Sequence, residues 1–298
     1  MRIYYCDHYD IPLPDGHKFP MRKYRLLREA LAADPDIQLE PALFAPRDAI
    51  ELAHDTEYVR AFIEGTLPAP AMRRIGFPWS QGLVERSLAS AGSTLRSAFE
   101  VFGAGITGGL SGGTHHAYRA EGSGFCVFND IAIAILALRR AGLARRAAVI
   151  DLDVHQGDGT AAIFSGDESV FTFSMHGANN FPFRKQKSSL DVELPDATTD
   201  AGYLRQLTSA LDRVWEFQPD IVFYQSGVDG LATDRLGRLA LTHAGLESRD
   251  RIVLEAARGN GLPLVLTLGG GYSDPIEATV AAHATTFRMA AKMAASIP

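Results

Sequence analysis

The sequence predicts an α/β fold: a single domain in which a central parallel sheet is flanked by helices on both faces. Two observations lead to this prediction. Short apolar segments alternate along the chain with longer amphipathic segments, as strands and helices do in βαβ units. The apolar segments at residues 221–224 and 264–266 are continuous rather than alternating, which is typical of parallel strands that are buried on both sides.

The predicted elements follow one another from the first residues to the last. The strands are predicted at residues 3–6, 147–152, 170–174, 221–225 and 264–268. The helices are predicted at residues 21–33, 57–64, 81–102, 131–141, 201–217, 243–258 and 275–294. The 298 residues contain no internal repeat and no long linker, so we expect one domain over residues 1–298.

Composition speaks against several classes of protein. Hydrophobic residues make up 46% and charged residues 21% of the chain, which is ordinary for a globular protein with a sizeable core. A net charge of -6 speaks against a nucleic-acid partner. The chain has two cysteines, Cys6 and Cys126, and this number is too small for a disulfide framework or a cysteine-rich zinc site. Neither a signal peptide nor a membrane-spanning segment is visible, so we expect a cytoplasmic protein with no membrane partner.

Three predicted strands lead directly into unusual polar residues. The strand at 147–152 runs into the segment 151–158, which contains three acidic residues and a histidine. The strand at 221–225 is followed by Asp229, and the strand at 264–268 by three glycines and Tyr272. Because ligands bind beyond the carboxyl ends of parallel strands, we expect these groups to meet at one edge of the sheet.

Asp153, His155 and Asp229 are candidate ligands of a metal ion. Residues spaced by two on an extended chain share one face, so Asp153 and His155 are expected to grip the same ion. With Asp229 they provide two carboxylates and one imidazole and leave a position open, which is the form of a catalytic zinc site. Helix capping is the other common role of acids at strand ends, and it suits Asp158. For the strand-terminal residues 151–155, burial without an ion would be costly.

The adjacent His115 and His116 lie in a predicted glycine-rich loop and could supply a general acid and a general base. Adjacent histidines in loops are often incidental, but the segment 122–130 extends this loop and favours a functional role. A Gly-x-Gly-x-x-Gly pattern at 103–108 follows a predicted helix instead of a strand, which speaks against nucleotide binding. The remaining histidines are expected to be structural or superficial, with one at the edge of the site: His8, His17, His54, His243 and His283, and His176 at the edge.

Five motifs, taken in order, resemble the histone deacetylase superfamily. They are residues 112–116, 124–130, 151–159, 226–229 and 269–272. The resemblance extends from residues 19–24 to Tyr272, and the segments 112–116, 180–183 and 234–237 look closest to class IV enzymes and their bacterial relatives. It implies the arginase–deacetylase fold, which agrees with the α/β prediction.

The resemblance also implies roles for individual residues. The zinc ligands would be Asp153, His155 and Asp229. The catalytic residues would be His115 paired with Asp151, His116 paired with Asp158, and Tyr272 facing the metal. The substrate channel would be lined by Gly124, Phe125, Phe181 and Leu236. A structural potassium ion would be bound by Asp151, Asp153, His155, Ser174 and Met175, with a second monovalent site near Phe164, Asp167 and Val170.

The activity that the resemblance implies is zinc-dependent removal of an acyl group from an acylated amine. The expected substrate is acyl-lysine in a protein or peptide, with an acetyl or a longer fatty acyl group. An acetylpolyamine or another small acylated amine is the alternative, although the insertion that narrows the entrance of polyamine-specific relatives has no obvious place here. A non-enzymatic ligand-binding member would lack Tyr272 or a ligand, and an arginase-like centre needs two metals and more carboxylates.

Overall fold

The computed structural model describes residues 1–295. In this range the strands, numbered in chain order, are β1 (Arg2–Tyr5), β2 (Gln38–Pro41), β3 (Ile106–Gly109), β4 (Ala147–Asp151), β5 (Val170–Gly177), β6 (Leu190–Leu194), β7 (Ile221–Gln225) and β8 (Leu264–Thr267). The helices are α1 (Arg22–Leu31), α2 (Arg47–Ala53), α3 (Thr56–Ile63), α4 (Ala69–Ile75), α5 (Gln81–Ala104), α6 (Asp130–Arg140), α7 (Asp158–Ile163), α8 (Asp200–Glu216), α9 (His243–Gly259) and α10 (Ile276–Ala295).

These strands form one sheet in the order β2-β1-β3-β8-β7-β4-β5-β6, and every neighbouring pair is parallel. Successive residues of a strand enter opposite cores. In β4, Ala148 and Ile150 belong to one core, whereas Ala147 and Val149 belong to the other. Helices α1, α8, α9 and α10 cover the first face, and α2, α3, α5 and α6 cover the second. The predicted single-domain fold with helices on both faces is therefore confirmed.

Three strands escaped the sequence prediction, for two physical reasons. The strands β2 and β6 lie at the two edges of the sheet and are only partly buried, so their sequences lack a continuous apolar run. Strand β3 reads Ile-Thr-Gly-Gly, and glycine has a low strand propensity. The second glycine is required by packing, because a Cβ at Gly109 would lie 2.1 Å from Oγ of Ser93 on α5.

Other departures from the predicted boundaries are small. Strand β5 continues three residues beyond its predicted end and includes His176. The unpredicted helices α2, α4 and α7 have only six or seven residues, which is too short for a clear amphipathic pattern. Helix α5 ends at Ala104, so the Gly-x-Gly-x-x-Gly pattern at 103–108 begins in the last turn of a helix and does not follow a strand, as expected. Among the described helices, none combines the length and the hydropathy needed to cross a membrane.

The middle of the sheet positions the polar residues that the sequence singled out. The strands β3, β8, β7 and β4 are consecutive neighbours and point the same way. The segment after β3 contains His115 and His116, and that after β8 contains Tyr272. The segment after β7 contains Asp229, and that after β4 contains the segment 153–155. Four adjacent strands thus deliver these groups to one edge.

The side chain of His54 is hydrogen-bonded to the end of the loop that carries His115 and His116. It is 1% exposed, and its Nε2 accepts a hydrogen bond of 2.8 Å from the backbone N–H of Asn129. Burial lowers the pKa of His54 to about 4, although nearby backbone carbonyls at 118 and 119 oppose the shift. The folded protein therefore holds this ring neutral, whereas a histidine in the unfolded chain has a pKa of about 6.5.

This difference predicts a specific dependence of stability on pH. The unfolded state binds a proton at His54 below about pH 6.5 and the folded state does not, so the contribution is complete above that pH and is lost as the pH falls towards 4. Between pH 6.5 and 4.5, the free energy of unfolding of a His54→Gln variant should fall by about 2 kcal/mol less than that of the wild type. Urea unfolding measures the free energy of unfolding of the wild type and of the variant at each pH. The control is His243→Gln, which replaces an exposed histidine. Equal pH slopes for wild type and His54→Gln would contradict this account.

Candidate active site

Asp153, His155 and Asp229, called the trio below, come together at the carboxyl edge of the sheet. Their candidate ligand atoms all lie within 4.8 Å of one another. Nδ1 of His155 is 3.0 Å from Oδ1 of Asp153 and 3.1 Å from Oδ2 of Asp229. The two aspartates are buried, and the histidine side chain is 12% exposed. Geometrically, the trio forms a compact cluster that opens to one side.

The expectation that Asp153 and His155 lie on an extended chain is wrong. Strand β4 ends at Asp151, and the following residues form bends. Oδ1 of Asp153 accepts a hydrogen bond of 3.0 Å from the backbone N–H of His155, and Oδ1 of Asp151 accepts one of 3.2 Å from the N–H of Asp153. Side chain to backbone turns, rather than strand alternation, aim both groups at Asp229.

Backbone N–H groups fix the orientation of the two carboxylates. Gly270 donates to Oδ2 of Asp153 over 2.6 Å, and Val154 donates to Oδ1 of Asp229 over 2.8 Å. A side chain at position 270 is excluded, because a Cβ there would lie 2.0 Å from Oδ2 of Asp229. The glycine run before Tyr272 is therefore needed for the close approach of the backbone to the carboxylates.

The electrostatics of the trio fit a divalent cation. Burial, together with the charge of Asp153, raises the pKa of Asp229 to about 7. Burial would lower the pKa of His155, but its hydrogen bonds to Asp153 and Asp229 outweigh burial and raise the pKa to about 10. Two buried carboxylates this close need a positive charge beside them. Oxygen and nitrogen donors of this kind are those that bind zinc in catalytic sites.

The adjacent histidines lie beside the trio, and each is bound to its own carboxylate. Nδ1 of His115 is 2.6 Å from Oδ2 of Asp151, and Nδ1 of His116 is 2.6 Å from Oδ1 of Asp158. The second oxygen of Asp158 accepts a hydrogen bond of 2.8 Å from the hydroxyl of Tyr118. Asp158 is the first residue of α7 and not its cap, as Gly157 occupies that position.

The two rings differ in proton affinity. Burial would lower the pKa of His115, but the charges of Asp151 and Asp153 outweigh it and raise the pKa to about 9. For His116, burial and the neighbouring His115 together lower the pKa to about 4, against the opposing effect of Asp158. At neutral pH, one ring is therefore charged and the other neutral, although the two are adjacent in sequence.

A cavity of about 650 Å³ leads from the surface to the trio. Tyr272 lines it, and its desolvation raises the pKa of the phenol well above the usual value, so the hydroxyl keeps its proton. All four residues expected to form the channel lie on its wall: Gly124, Phe125, Phe181 and Leu236. The ring of Phe181 meets that of His116 edge-on, with centroids 4.9 Å apart. Phe125 has a φ of 65°, a left-handed conformation that is rare for a bulky residue.

Of the residues expected to bind potassium, Asp153 and His155 belong to the trio, and the other three, Asp151, Ser174 and Met175, are buried. Ser174 pairs with Asp151 in the register of β4 and β5, and its Oγ is 3.0 Å from Nδ1 of His176. Met175 is fully buried. Of the three candidates for a second monovalent site, Phe164 lies at the end of α7, Asp167 in the connection that follows it, and Val170 at the start of β5.

Asp130 anchors the loop that carries the histidine pair. Its Oδ2 accepts hydrogen bonds from the N–H of Gly113 (3.0 Å) and the hydroxyl of Thr94 (2.5 Å). Its Oδ1 accepts hydrogen bonds from the N–H (2.8 Å) and the hydroxyl (2.6 Å) of Thr114. The sequence motif at 124–130 thus ends in a residue that supports the motif at 112–116. Its role was not predicted, because the two segments meet only in the fold.

Two buried basic residues near the site were also missed by the sequence analysis. The first is Lys23 on α1, which is 1% exposed. Its Nζ lies 3.3 Å from the carbonyl oxygen of Gly269 and 3.5 Å from that of Gly271, and 5.3 Å from the ring centre of Tyr272. Burial lowers the pKa of Lys23 to about 8, in spite of the opposing charge of Asp229. Lys23 fixes the glycine turn that precedes Tyr272.

The second is Arg249 on α9, also 1% exposed, which links the two segments that carry the trio. Its guanidinium donates to the carbonyl oxygens of Gly227 (2.5 Å), Ser226 (3.3 Å) and Leu152 (3.4 Å). Leu152 directly precedes the first residue of the trio, and Ser226 and Gly227 follow β7 on the way to the last. Asp250 neutralises the arginine through a hydrogen bond of 2.8 Å from Nε.

Comparison with known proteins agrees with this geometry. The family model of the histone deacetylase domain matches residues 17–287. Histone deacetylase 2 of Arabidopsis thaliana is 31% identical over 288 residues, which are 91% of this chain and 74% of that protein. An uncharacterised protein of a Picosynechococcus strain is 46% identical over 293 residues, 97% of each chain.

A solved structure gives an independent comparison of the fold. The crystal structure of the HDA15 HD domain superimposes with a TM-score of 0.82 at 20% sequence identity, and the match covers 97% of this chain and 90% of the other. The family match spans the loops that carry the trio, the histidine pair and Tyr272. The chain belongs to the histone deacetylase family.

Proposed function

We propose that the protein is a zinc-dependent deacylase that hydrolyses the amide bond of an acylated amine, with acyl-lysine in a protein or peptide as its substrate. The trio at the bottom of a cavity, with two histidines beside it that are each hydrogen-bonded to a carboxylate, is the observation that supports the proposal. Membership of a family of deacetylases supports the same reaction class.

Asp153, His155 and Asp229 would hold the zinc ion. When bound, zinc supplies a Lewis acid that polarises the acyl carbonyl and lowers the pKa of water. The turns and N–H donors described above hold the carboxylates in place before the ion arrives. Metal binding requires a neutral imidazole, so His155 would bind zinc without the proton that its two carboxylate neighbours favour.

His116 is the general base and then the general acid of the proposed reaction. Its Nδ1 is occupied by Asp158, so Nε2 is the nitrogen left to take a proton from the attacking water and to return it to the departing amine. The low pKa of His116 leaves that nitrogen free of a proton at neutral pH. His115, charged and held by Asp151, gives electrostatic support.

Tyr272 donates a hydrogen bond to the oxygen that becomes negatively charged as water attacks. Its raised pKa keeps the phenol protonated, which this role requires. Lys23 and Asp234 position the backbone on either side: the lysine binds the glycine carbonyls, and Oδ2 of Asp234 accepts a hydrogen bond of 2.6 Å from the N–H of Tyr272. A donor of this kind typically contributes about 2.7–4 kcal/mol to the transition state.

The apolar wall of the cavity suits the extended chain of an acyl-lysine. The rings of Phe125 and Phe181 line it together with Gly124. A structural potassium ion at Asp151, Asp153, His155, Ser174 and Met175 is part of the proposal, as is a place among class IV enzymes and their bacterial relatives. The sequence motifs that resemble the histone deacetylase superfamily support both. The resemblance to class IV enzymes also supports the use of acyl groups longer than acetyl.

The first test separates metal binding from catalysis. An Asp229→Ala variant should lose zinc and activity, because a ligand is removed. A Tyr272→Phe variant should keep zinc and lose about 10²–10³-fold in kcat, because only a transition-state donor is removed. Elemental analysis and hydrolysis of an acetyl-lysine peptide measure the two effects. Asp234→Asn, which removes a nearby charge from outside the trio, should retain zinc. Near-full turnover by Tyr272→Phe would refute the role of the phenol.

The second test separates the two histidines. His116→Ala should reduce kcat by about 10²–10⁴-fold, because proton transfer by a positioned side chain contributes on that scale. His115→Ala, the matched change at the adjacent position, should reduce kcat less, and both variants should retain zinc. Single-turnover rates measured at neutral pH compare the chemical steps. If His115→Ala is the more damaging change while zinc content is intact, the two roles are exchanged.

A further inference from the structure

The mouth of the catalytic cavity carries exposed charges that the proposed mechanism does not use. Among the described residues that line the cavity, every exposed charged side chain is basic: Lys18, Arg74 and Arg238. The carboxylates of the lining are those of Asp153 and Asp229, which are buried and belong to the trio. The entrance is thus positive in a protein whose net charge is -6.

The three basic residues stand on separate segments around the entrance. The backbone of Arg74 contacts the channel wall, because its carbonyl oxygen accepts a hydrogen bond of 3.1 Å from the N–H of Gly124. Lys18 directly precedes Phe19, whose ring lies 5.3 Å from that of Phe125. Arg238 follows the channel residue Leu236 by two positions. A substrate that enters the channel therefore meets a cavity lined by all three.

Neighbouring acids form ion pairs with only part of this positive charge. Arg74 pairs with Glu121 at 2.9 Å, and Arg238 pairs with Asp196 at 3.3 Å. Lys18 forms no ion pair with any residue that the structure describes. The same holds, within residues 1–295, for Arg184 and Lys187, exposed residues in the segment that follows Phe183. Of the three basic residues that line the entrance, Lys18 is thus left without an ion-pair partner in the described part of the chain, and Arg184 and Lys187 add unpaired positive charge in the segment after Phe183.

Phe183 adds an apolar contact to this charged surface. Its side chain is 87% exposed and lines the cavity, with its ring centroid 6.4 Å from that of Phe181. Exposed aromatic side chains next to a cavity are typical of contact surfaces. A ring beside basic groups can pack against the backbone of a peptide while the basic groups pair with its side chains.

The geometry points to acyl-lysine in an acidic sequence context, an acyl-lysine flanked by aspartate or glutamate, as the substrate of this protein. This inference rests on the proposed deacylase function and names the substrate class. Opposite charge at the entrance raises the association rate and the affinity of an acidic peptide. It also repels basic peptides and acetylated polyamines, which are polycations.

Binding measurements test this without requiring turnover. Three labelled peptides would carry a ketone isostere of acetyl-lysine, which cannot be hydrolysed, flanked by four glutamates, four alanines or four arginines. At low ionic strength the acidic peptide should bind about 10-fold more tightly than the alanine peptide, and the arginine peptide more weakly than either. The differences should shrink at high salt because exposed charges are screened. Equal affinities, or a preference for the basic peptide, would overturn the inference.

Two variants locate the effect. Lys18→Glu combined with Arg184→Glu should abolish the preference for the acidic peptide, whereas Lys292→Glu, an exposed lysine in the last turn of α10, should preserve it. If Lys292→Glu has the same effect as the pair, overall charge is responsible and the inference is wrong. Displacement of the acidic peptide by an equimolar single-stranded oligonucleotide would also overturn it, because the surface would then favour nucleic acid.

A separate assay distinguishes failure of the inference from failure of the proposed function. Hydrolysis of an uncharged acetyl-lysine amide reports the reaction independently of flanking charge. If this substrate is cleaved but the peptides bind equally, the function stands and the substrate class is wrong. If the acidic peptide is preferred but no acylated amine is hydrolysed, the basic mouth binds acidic peptides as inferred and the proposed function fails.

Discussion

Asp153 and Asp229 are buried next to each other, and the rest of the site is organised around the cost of holding two carboxylates in such a place. Unpaired charges in a protein interior are strongly unfavourable. Here the carboxylates receive hydrogen bonds from Gly270 and Val154 and lie within 3.1 Å of the His155 ring. Even so, the pKa of Asp229 remains raised to about 7. This excess of negative charge is what makes the position suitable for a divalent cation.

The sheet explains how such a site can be rigid. Four adjacent parallel strands end together, and each contributes one part of the site from the segment that follows it. The strands are buried on both faces, so their ends cannot shift without disturbing a core. Arg249 then links the segments after β4 and β7 through their carbonyl oxygens, and Lys23 does the same for the turn after β8. Catalytic geometry depends on support of this kind behind the ligands.

The sequence predicted the elements whose burial leaves a simple pattern. Strands β7 and β8 are continuous apolar runs, and the acids that follow the central strands were expected at one edge. Strand β3 was missed because its two glycines are required by tertiary contacts, Gly108 with Leu266 of β8 and Gly109 with Ser93 of α5. Lys23 and Arg249 were missed for a similar reason: a basic residue in an amphipathic helix resembles a surface residue until the fold buries it. The segment around Asp153 was expected to be extended and is a turn, although the grouping of Asp153 with His155 and Asp229 was predicted.

The central claim is that one zinc ion, bound by the trio, is required for amide hydrolysis. The most direct measurement is a titration of the metal-free protein, prepared with a chelator, with zinc while hydrolysis of an acetyl-lysine peptide is followed. The account predicts no hydrolysis without metal and full recovery at one equivalent of zinc per chain, since one group of three ligands is present in residues 1–295. Undiminished hydrolysis by the metal-free protein, or recovery that requires two equivalents, would contradict it.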